Sequence, residues 1–549
     1  MDKDPHTKIG KETKWKLDQQ QKEKEYIKKE WDKQDKHKKK LKQTEEEIEE
    51  KEKNWAEWKI KKEVVDIFRR EDNERELLLD EYEVFYEDDK GKQKISTAKL
   101  GNLIYSEHGH FFTIVDNKEI YTYNHEGGYY ENNGDAKIRN LVEYYLDDFV
   151  VERYKNECVG WIRDHNYVRR EDINVPLHLI NVQNGILNIE TMKLIEHTPD
   201  LFFLSQIPIK FNPHAKCDKF IEFLNHISMK EGELREKTVN TIQEYLGYCF
   251  LRAYPYKNYI VFDGGGDNGK TTLLNVVVAL IGMNNNTSIS LQDLNHRPFA
   301  KAQLFRKHIN VSDDLPKKAL KYTGEIKQIT GNSPLWSDIK NHRKGISFVN
   351  YAKPWYACNE LPETYDYSDA FFSRMIQITF LNKYLPKGNK KINDKNIFVR
   401  DTKITEKLTT PEELSGIFNF ALEGLERLKE NHNFSDDMTT EEKRTMYLRK
   451  TNPIHAFIED EIEIIGEDWC ITVDDFFSEL ISYCERNEFD KPTSRKYVTS
   501  RVLDENIGVQ KRQKKINGVP RVWCWIGIKS VSESTINHFL GEQKNKMII

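Results

Sequence analysis

The chain lacks the features that mark secreted or membrane proteins. Its 549 residues include only seven cysteines, and no two of them form a Cys-x-x-Cys pair. Neither a zinc site nor a disulfide scaffold is therefore predicted, which suits a reducing compartment. The N-terminus has no apolar segment typical of a signal peptide, and no apolar run is long enough to cross a bilayer. We expect a cytoplasmic protein with no membrane partner.

The chain also lacks an excess of charge of one sign. Its 85 Lys and Arg nearly balance 90 Asp and Glu, for a net charge of −5. The charges are strongly clustered along the chain, so this balance does not exclude a polyanionic partner. Hydrophobic residues make up 38% of the sequence, which is enough for packed cores. A chain this long is expected to form about three or four domains.

The N-terminal segment is almost entirely polar. Lys, Asp and Glu occupy 34 of the first 60 positions, and the sparse apolar residues do not form a sustained heptad seam. We interpret residues 1–78 as a charged helical or disordered arm. A weak coiled coil or a nucleic-acid tether is the alternative.

The remaining sequence divides into four regions that differ in their predicted secondary structure. Residues 79–225 read as a mixed α/β domain, 226–400 as an α/β core, 401–451 as a helical extension and 452–549 as a small separate domain. In the core, apolar segments that alternate with helical stretches predict strands at 259–262, 308–312, 354–358 and 375–380.

A glycine-rich segment directly follows the first of these predicted strands. Residues 264–272 read GGGDNGKTT and a helical stretch follows, which is the Walker A pattern of a phosphate-binding loop. Backbone N–H groups of such a loop face phosphates, Lys270 reaches the β- and γ-phosphates, and Thr271 offers its hydroxyl to Mg²⁺. ATP and Mg²⁺ are therefore the predicted cofactors. The predicted nucleotide-binding residues are Gly264, Gly265, Gly266, Asp267, Asn268, Gly269, Lys270, Thr271 and Thr272.

Paired carboxylates follow the second predicted strand. The segment His308-Ile-Asn-Val-Ser leads into Asp313-Asp314. We predict that Asp313 contacts Mg²⁺ together with Thr271, and that Asp314 acts as the general base that polarises the attacking water. An acidic loop after a strand, without a catalytic role, is the alternative.

Two further candidates flank the last two predicted strands. Asn359 follows the strand at 354–358, where an amide can bind the γ-phosphate or the attacking water; capping of the turn before Pro362 is the alternative. Arg374 directly precedes the strand at 375–380 and is a candidate arginine finger for a neighbouring subunit. A structural salt bridge is the alternative for Arg374.

Lys270, the pair Asp313-Asp314, Asn359 and Arg374 occur in this order within a short stretch of sequence. That order resembles superfamily 3 helicases, in particular the helicase part of phage, plasmid and poxvirus-type primase-helicases. The resemblance covers about residues 85–450 and includes EIKQITG at 325–331 and the region upstream of the loop. It implies an AAA+-like ATPase core, Asn359 as sensor 1, Arg374 acting in trans, and a ring, expected to be a hexamer.

The sequence departs from that family in three places. Asn332 and Ser333 follow Gly331 where the family usually has Gly-Asp, and a single arginine stands at the finger position. No convincing set of primase metal ligands precedes the core. We therefore expect a helicase without a primase domain, with a separate primase as a possible partner.

Basic residues between the second and third ATPase elements suggest a contact with a nucleic-acid strand. In the family this stretch is a hairpin that lines the pore of the ring. A solvated basic turn is the alternative. The predicted strand-contacting residues are Lys340, Arg343 and Lys344, with His342 as a possible helper.

The C-terminal region carries a second basic cluster. Thr472 is predicted to cap an amphipathic helix, a second helix is predicted from Thr493 or Ser494, and a hairpin is predicted to turn at Asn517-Gly518. This pattern favours a winged-helix-like domain that binds duplex DNA; a basic hairpin with a packing role is the alternative. The predicted DNA-binding residues are Arg495, Lys496, Arg501, Lys511, Arg512, Lys514 and Lys515.

The fold class expected from these observations is α/β, with a P-loop AAA+-like helicase core, an N-terminal α/β domain and a C-terminal winged-helix-like domain. The expected function is an ATP-dependent DNA helicase that replicates a virus or plasmid and acts on single-stranded and duplex DNA. For a viral protein the expected location is the host cytoplasm. A P-loop ATPase that acts as a DNA-binding initiator, remodeller or packaging factor without unwinding is the alternative.

Overall fold

The computed structural model describes residues 74–531, apart from positions 174, 339, 341–344, 390, 392–394, 437, 488, 490, 493, 505–509 and 517–518. Nearly all of the charged arm predicted at 1–78 therefore lies outside the described residues, and residues 74–81 are helical. Contacts divide the described chain into two compact units. The first contains residues 74–108 and 138–162, and the second contains 109–137 and 163–531.

The first unit packs helices beside a short hairpin. Helix α1 begins after Ser96, whose hydroxyl accepts a hydrogen bond from the backbone N–H of Lys99. Leu100, Leu103 and Ile104 are fully buried on one side of this helix. Its elements are β1 (Phe85–Glu87), β2 (Gln93–Ile95), α1 (Thr97–Glu107), most of α2 (Gly134–Leu146) and most of α3 (Glu152–His165).

The second unit begins with two small sheets. Residues 111–114 and 120–124 form strands, and Gln183 and Asn184 connect two short antiparallel strands, the second of which begins at Gly185. One sheet has the order β5-β4-β3-β6 and the other β7-β8-β9. The strands are β3 (Phe111–Ile114), β4 (Ile120–Asn124), β5 (Tyr129–Glu131), β6 (Tyr167–Val168), β7 (Leu179–Val182), β8 (Gly185–Asn188) and β9 (Lys193–Ile195).

A five-stranded parallel sheet forms the centre of the second unit, with the order β13-β14-β17-β12-β18. The four strands predicted from apolar segments are β12, β14, β17 and β18. Their side chains are buried on both faces, as expected for parallel strands covered by helices. The strands are β12 (Tyr259–Asp263), β13 (Asn286–Thr287), β14 (Ile309–Ser312), β17 (Lys353–Cys358) and β18 (Met375–Thr379).

Alternate residues of β12 enter two different cores. Ile260 and Phe262 pack in the larger core with Trp355, whereas Tyr259 and Val261 pack on the opposite face. The helices of this unit are α4 (Asp218–Ile227), α5 (Glu236–Tyr248), α6 (Lys270–Ile281), α7 (Leu291–His296), α8 (Gly324–Ile329), α9 (Asp369–Phe372), α10 (Ile404–Leu408), α11 (Pro411–Asn431) and α12 (Thr440–Thr451).

Two of these helices approach each other closely. A Cβ atom on Gly247 of α5 would lie 2.1 Å from the carbonyl oxygen of Ala421 in α11, so only glycine fits at this contact. Beside it, Arg427 donates to the fully buried Glu244 at 2.7 Å. Removing either charge would leave the other unpaired, which typically costs about 3–5 kcal/mol.

Three two-stranded pairings complete the central part of the chain. The first two are antiparallel and the third is parallel. They are β10 (Met229–Lys230) with β11 (Glu233–Leu234), β15 (Pro334–Ser337) with β16 (Ile346–Val349), and β19 (Lys383–Leu385) with β20 (Ile397–Val399).

The C-terminal region has the order helix, strand, two helices and a two-stranded antiparallel pair. Thr472 caps the first of the two helices through the N–H of Asp475, as predicted, and the next helix begins directly after Ser494. The turn predicted at Asn517-Gly518 lies outside the described residues. The elements are α13 (Pro453–Glu461), β21 (Ile462–Thr472), α14 (Val473–Arg486), α15 (Arg495–Asp504), β22 (Gln510–Ile516) and β23 (Val519–Ser530), in a sheet ordered β21-β23-β22. Among the described helices, none is long and apolar enough to cross a membrane.

Candidate functional site

The glycine-rich loop connects the carboxyl end of β12 to the first turn of α6. Gly264 has a φ of +150° and Gly269 a φ of +90°, values that favour glycine. A Cβ atom on Gly264 would also lie 2.4 Å from the carbonyl oxygen of Phe380. The loop conformation therefore depends on glycine at both ends. Between them, Gly265, Gly266 and Asp267 are exposed, whereas Asn268 is buried.

Lys270 is the first residue of α6 and its side chain folds back across the loop. Its ammonium donates to the carbonyl oxygen of Gly264 at 2.6 Å, to Asn268 Oδ1 at 3.0 Å and to Asn359 Oδ1 at 3.3 Å. Burial lowers the pKa of Lys270, an effect that the nearby carboxylates partly oppose. The ammonium is thus held where a loop-bound phosphate would lie.

The predicted metal-binding pair is adjacent in space. The Thr271 hydroxyl donates to Asp313 Oδ1 at 3.1 Å, although the two residues are 42 positions apart. Asp313 and Asp314 are exposed just beyond the carboxyl end of β14, and both line the same cleft as Thr271. A hydroxyl and a carboxylate oxygen are hard ligands, and Mg²⁺ in such sites usually keeps several waters, so this donor set suits it. Within the described ranges, no three His, Cys, Asp or Glu side chains form a separate metal cluster.

The cleft around the loop holds about 1070 Å³ and contains most of the predicted ATPase residues. Its other walls come from α4 and from the segment 384–407, neither of which was predicted to form part of the site. Phe223 and Val399 contribute apolar surface there, beside the basic residues Lys219 and Lys407. The predicted residues that line it are Gly266, Asp267, Asn268, Gly269, Lys270, Thr271, Thr272, Asp313, Asp314 and Asn359.

Sequence reasoning missed an ion pair within the loop itself. Asp267 has a left-handed φ of +66°, and its carboxylate pairs with Arg400. The carbonyl oxygen of Asp267 accepts a hydrogen bond from the N–H of Tyr384 at 2.7 Å. These contacts hold the loop against the 384–407 segment. No local pattern indicates Arg400, because the pairing spans more than a hundred residues.

A second missed pair lies beneath the loop. Asp263, the last residue of β12, is buried and pairs with Lys450 of α12 at 2.5 Å. Gln377 and Thr379 of β18 also donate to the Asp263 carboxylate, at 2.9 and 3.0 Å. This network links α12 to the strand that carries the glycine-rich loop. A carboxylate just before the glycine run was the available signal for Asp263.

Arg374 does not join this cluster. Its backbone carbonyl accepts from the N–H of Tyr259, the first residue of β12, whereas the loop follows the last residue of that strand. The four residue steps between Tyr259 and Asp263 span about 13 Å. The guanidinium donates to the carbonyl oxygen of Ala370, and its buried Nε has no hydrogen-bond partner among the described residues. Arg374 therefore lies near the amino ends of the sheet strands, whereas the glycine-rich loop of the same chain lies at their carboxyl ends.

The predicted strand-contacting residues fall on the connection of the β15–β16 hairpin. Lys340 is exposed there, whereas His342, Arg343 and Lys344 lie outside the described residues. Trp336 on β15 is 60% exposed beside this connection. Lys340 also lines a second groove, which is separate from the nucleotide cleft.

The basic residues of the C-terminal region lie on α15 and β22. Lys496 and Lys515 are exposed, Arg501 lies on α15, and Lys514 and Arg512 lie on β22. Several of the predicted DNA contacts already have partners within the chain, including Arg512, which donates to Gln510. Arg495 pairs with Asp474 at 2.6 Å, and Lys511 donates to Thr499 at 3.3 Å.

Lys511 also has an aromatic neighbour that the sequence reading did not select. Its ammonium lies 5.4 Å from the ring centroid of Trp523, which is half exposed on β23.

Two family models match parts of the chain. A family described as D5 N terminal like matches residues 101–229, and a family of unknown function (DUF5906) matches residues 262–374. The second match begins just before the glycine-rich loop and ends at Arg374.

A curated relative matches a longer part of the chain. The chain is 23% identical over 378 residues to a protein of Acanthamoeba polyphaga mimivirus named Putative helicase L207/L206. The match covers 64% of this chain and 38% of the relative, so the chain spans well under half of the relative's length.

Solved structures of the NrS-1 C terminal region also align with the chain. One apo structure gives a TM-score of 0.42 at 10% identity and covers 79% of this chain and 99% of that one. Its A form apo structure gives 0.41 at 11% identity and covers 79% and 100%. Scores at this level do not decide the fold.

The D5 N terminal like region and the mimiviral relative support the resemblance drawn from the sequence motifs. The class of protein indicated is the viral primase-helicase. The chain is therefore similar, over these matched regions, to phage and viral primase-helicases.

Proposed function

We propose that this chain is an ATP-dependent DNA helicase that works as a ring during replication of a virus or plasmid. The observation that carries the proposal is the convergence of three sequence elements on one cleft. Lys270 contacts Asn359, and Thr271 contacts Asp313, across 89 and 42 residues of sequence. This convergence favours hydrolysis of a nucleoside triphosphate over a chance glycine-rich turn. The name of the mimiviral relative and the match to the D5 N terminal like family favour strand separation as the use of that hydrolysis.

Each residue of the cleft has a separate role in the proposed hydrolysis. Lys270 neutralises the charge of the β- and γ-phosphates, and Asn359 reports the γ-phosphate from the end of β17. Mg²⁺, held by Thr271 and Asp313, supplies charge that offsets the phosphate oxygens when bound. Asp314 accepts a proton from the attacking water or orients that water in line with the γ-phosphate.

The parallel sheet supports a P-loop AAA+-like core. Strand β12 carries the loop, and the strands on both sides of it, β17 and β18, come later in the chain. The strand order therefore reverses next to the loop, which is where ligands bind in open α/β sheets. The cleft at the carboxyl ends of β12, β14 and β17 fits this rule.

The position of Arg374 supports a site completed by a second subunit. The guanidinium lies at the amino edge of the sheet and lacks a carboxylate partner among the described residues. A ring, proposed as a hexamer, would bring this edge to the cleft of the neighbouring subunit. Each Arg374 would then stabilise charge on the γ-phosphate bound by the neighbouring subunit.

Nucleic-acid contacts are proposed for two separate regions. The β15–β16 connection, with Lys340, Arg343 and Lys344, would hold phosphates of a single strand in the pore. The C-terminal region would bind duplex DNA as a winged-helix-like domain. Its two successive helices followed by the β22–β23 pair support that assignment, with α15 as the helix for the major groove.

The proposal is tested by three measurements on the full chain. We expect ATP hydrolysis that rises with single-stranded DNA, a particle mass of several subunits, and ATP-dependent strand displacement on a forked duplex. A monomer with DNA-independent ATP hydrolysis would contradict the proposal. A DNA-stimulated ATPase that assembles on duplex DNA without displacing a strand would instead indicate an initiator, remodeller or packaging factor.

A further inference from the structure

A second groove lies between the β3–β5 strands and the segment that precedes β14, apart from the nucleotide cleft. It has a volume of about 800 Å³ and reaches Lys340 at the connection of the β15–β16 hairpin. A smaller cavity of about 330 Å³ shares Tyr129, Phe305 and Arg306 with it and continues to Lys307. Together the two cavities form a track that begins at a residue already proposed to contact a strand.

Arg306 is the main cationic group along this track. Its guanidinium lies 4.5 Å from the ring centroid of Phe305 and 5.1 Å from that of Tyr121, and it donates to the Tyr121 hydroxyl at 2.7 Å. No carboxylate in the described part of the chain forms an ion pair with it. A partly buried cation without a counter-ion favours an external anion.

A second guanidinium lies close to Arg306. Arg170 lies 5.1 Å from the centroid of the Phe305 ring, so this ring lies next to two guanidinium groups. The arrangement keeps the charge of Arg306 fixed at the wall of the groove.

Aromatic and amide side chains line the rest of the groove. Phe299 is 40% exposed, and Tyr129 and Phe305 are partly exposed, so ring surface is available for stacking. Asn132 and Gln303 add amide groups that can pair with base edges. Glu119 and Glu131 also line the groove and would repel phosphates. Glu119 accepts a hydrogen bond at 3.3 Å from the Tyr121 hydroxyl to which Arg306 donates, so a phosphate is expected at the guanidinium nitrogens that do not contact Tyr121.

We propose that this groove binds single-stranded nucleic acid, with a backbone phosphate at Arg306, the strand passing Lys340, and a base stacked on Phe299. Cations that follow a backbone and exposed rings that accept bases are the two elements of single-strand binding sites. The proposal rests on the proposed function, because it gives the strand a path from the hairpin along the second unit.

The test measures binding of a fluorescein-labelled oligothymidylate of about 20 nucleotides to the full chain by anisotropy, at several salt concentrations. Phe299→Ala is expected to weaken binding about tenfold, as the loss of one stacked base does. Arg306→Gln is expected to weaken it about tenfold and to reduce the salt slope by about one phosphate contact. Arg297→Gln is the matched control, because Arg297 is 71% exposed, pairs with Asp293 and does not line the groove.

The outcomes separate the groove from the function on which it rests. Wild-type affinity in both groove variants, with tight binding by the wild type, would overturn the groove while leaving the helicase proposal intact. No binding by the wild type would overturn both. If Arg306→Gln fails to fold, Phe299→Ala and Lys340→Ala together decide the question, since both side chains are exposed. Loss of self-association with unchanged binding per subunit would assign the groove to a contact between copies of the chain.

Discussion

The carboxyl ends and the amino ends of the central parallel strands differ in how many of the candidate ATPase residues meet there. At the carboxyl ends, Lys270 contacts Asn359 and Thr271 contacts Asp313, and all four residues line one cleft. At the amino ends of the strands, the Arg374 guanidinium donates only to the carbonyl oxygen of Ala370 in the preceding helix α9, among the described residues. One chain therefore supplies the proposed triphosphate-binding residues at one end of the strands, whereas Arg374, the proposed arginine finger, lies at the other end of the same strands.

Because of this difference, we expect that mutations can change nucleotide affinity and the rate of ATP hydrolysis independently. Residues at the carboxyl edge should affect nucleotide affinity, because their side chains meet within one subunit. Arg374 should affect only the rate, because its contribution depends on a neighbour. The variants described next test whether nucleotide affinity and hydrolysis rate respond to different residues.

The largest effect is expected for Lys270→Ala. This variant removes the ammonium that lies over the loop, so phosphate charge is no longer offset. We expect ATP hydrolysis to fall by more than about 10³-fold and triphosphate binding to weaken strongly. Phosphate release and titration with a fluorescent nucleotide measure both. The control is Lys193→Ala on the exposed strand β9, which should match the wild type. Hydrolysis within tenfold of the wild type would remove the loop from the mechanism.

Arg374→Ala is expected to slow hydrolysis nearly as much while sparing affinity. An arginine finger is worth about 10³-fold or more in rate, and its removal should leave ATP affinity within about threefold. The same two assays measure these quantities. Parallel losses of affinity and rate, or a large fall in melting temperature, would instead identify Arg374 as a structural residue of the β18 edge.

A smaller effect is expected at the ion pair within the loop. Asp267 puts a negative charge beside the phosphates, and Arg400 offsets it. Asp267→Asn should strengthen ATP binding by a few-fold, and Arg400→Ala should weaken it by a similar factor. Fluorescent-nucleotide titrations at low and high salt measure both, and the difference should shrink at high salt. Unchanged affinity in both variants would show that the pair is only a surface salt bridge.

The last prediction concerns the stability of the fold rather than its activity, at the amino ends of the sheet strands. His308, just before β14, is buried, with Nδ1 at 3.0 Å from the carbonyl oxygen of Cys249, and burial lowers its pKa to about 3. The unfolded chain binds a proton near the usual histidine value whereas the folded chain does not, so stability falls as pH drops from about 6.5 towards 3.

Denaturant titrations would detect this loss. Between about pH 6.5 and 4.5 the loss from His308 should reach up to about 2–3 kcal/mol. A His308→Asn variant should lose less over the same range, whatever its stability at neutral pH. Equal pH dependence in the two proteins would contradict the assignment.

The parts of the site that could be predicted from sequence are those encoded locally. The loop at 264–272 is identified by its spacing, and Asp313 and Asn359 each follow an apolar strand directly. Because the carboxyl ends of parallel strands meet at one edge, the strand pattern alone predicts that these side chains converge. The order of elements in the C-terminal region was likewise foreseen from a cap at Thr472 and helical periodicity.

The parts that could not be predicted depend on long-range contacts. Lys450 reaches Asp263 across 187 residues, and Arg400 reaches Asp267 across 133. Neither cation stands in a pattern that distinguishes it from other basic residues of the chain. The groove at Arg306 is hidden for the same reason, since its walls come from β4, β5 and the segment before β14, and none of these carries a motif.

A mixture of two inactive variants tests most directly whether Arg374 acts on the nucleotide held by a neighbouring subunit. Lys270→Ala retains Arg374, and Arg374→Ala retains an intact nucleotide cleft. If Arg374 acts across subunits, co-assembly of equal amounts should restore hydrolysis at roughly a quarter of the interfaces, because each active site needs one subunit of each kind. We expect measurable ATP hydrolysis in the mixture and almost none in either variant alone. A mixture as inactive as its components, within particles shown to contain both, would contradict it.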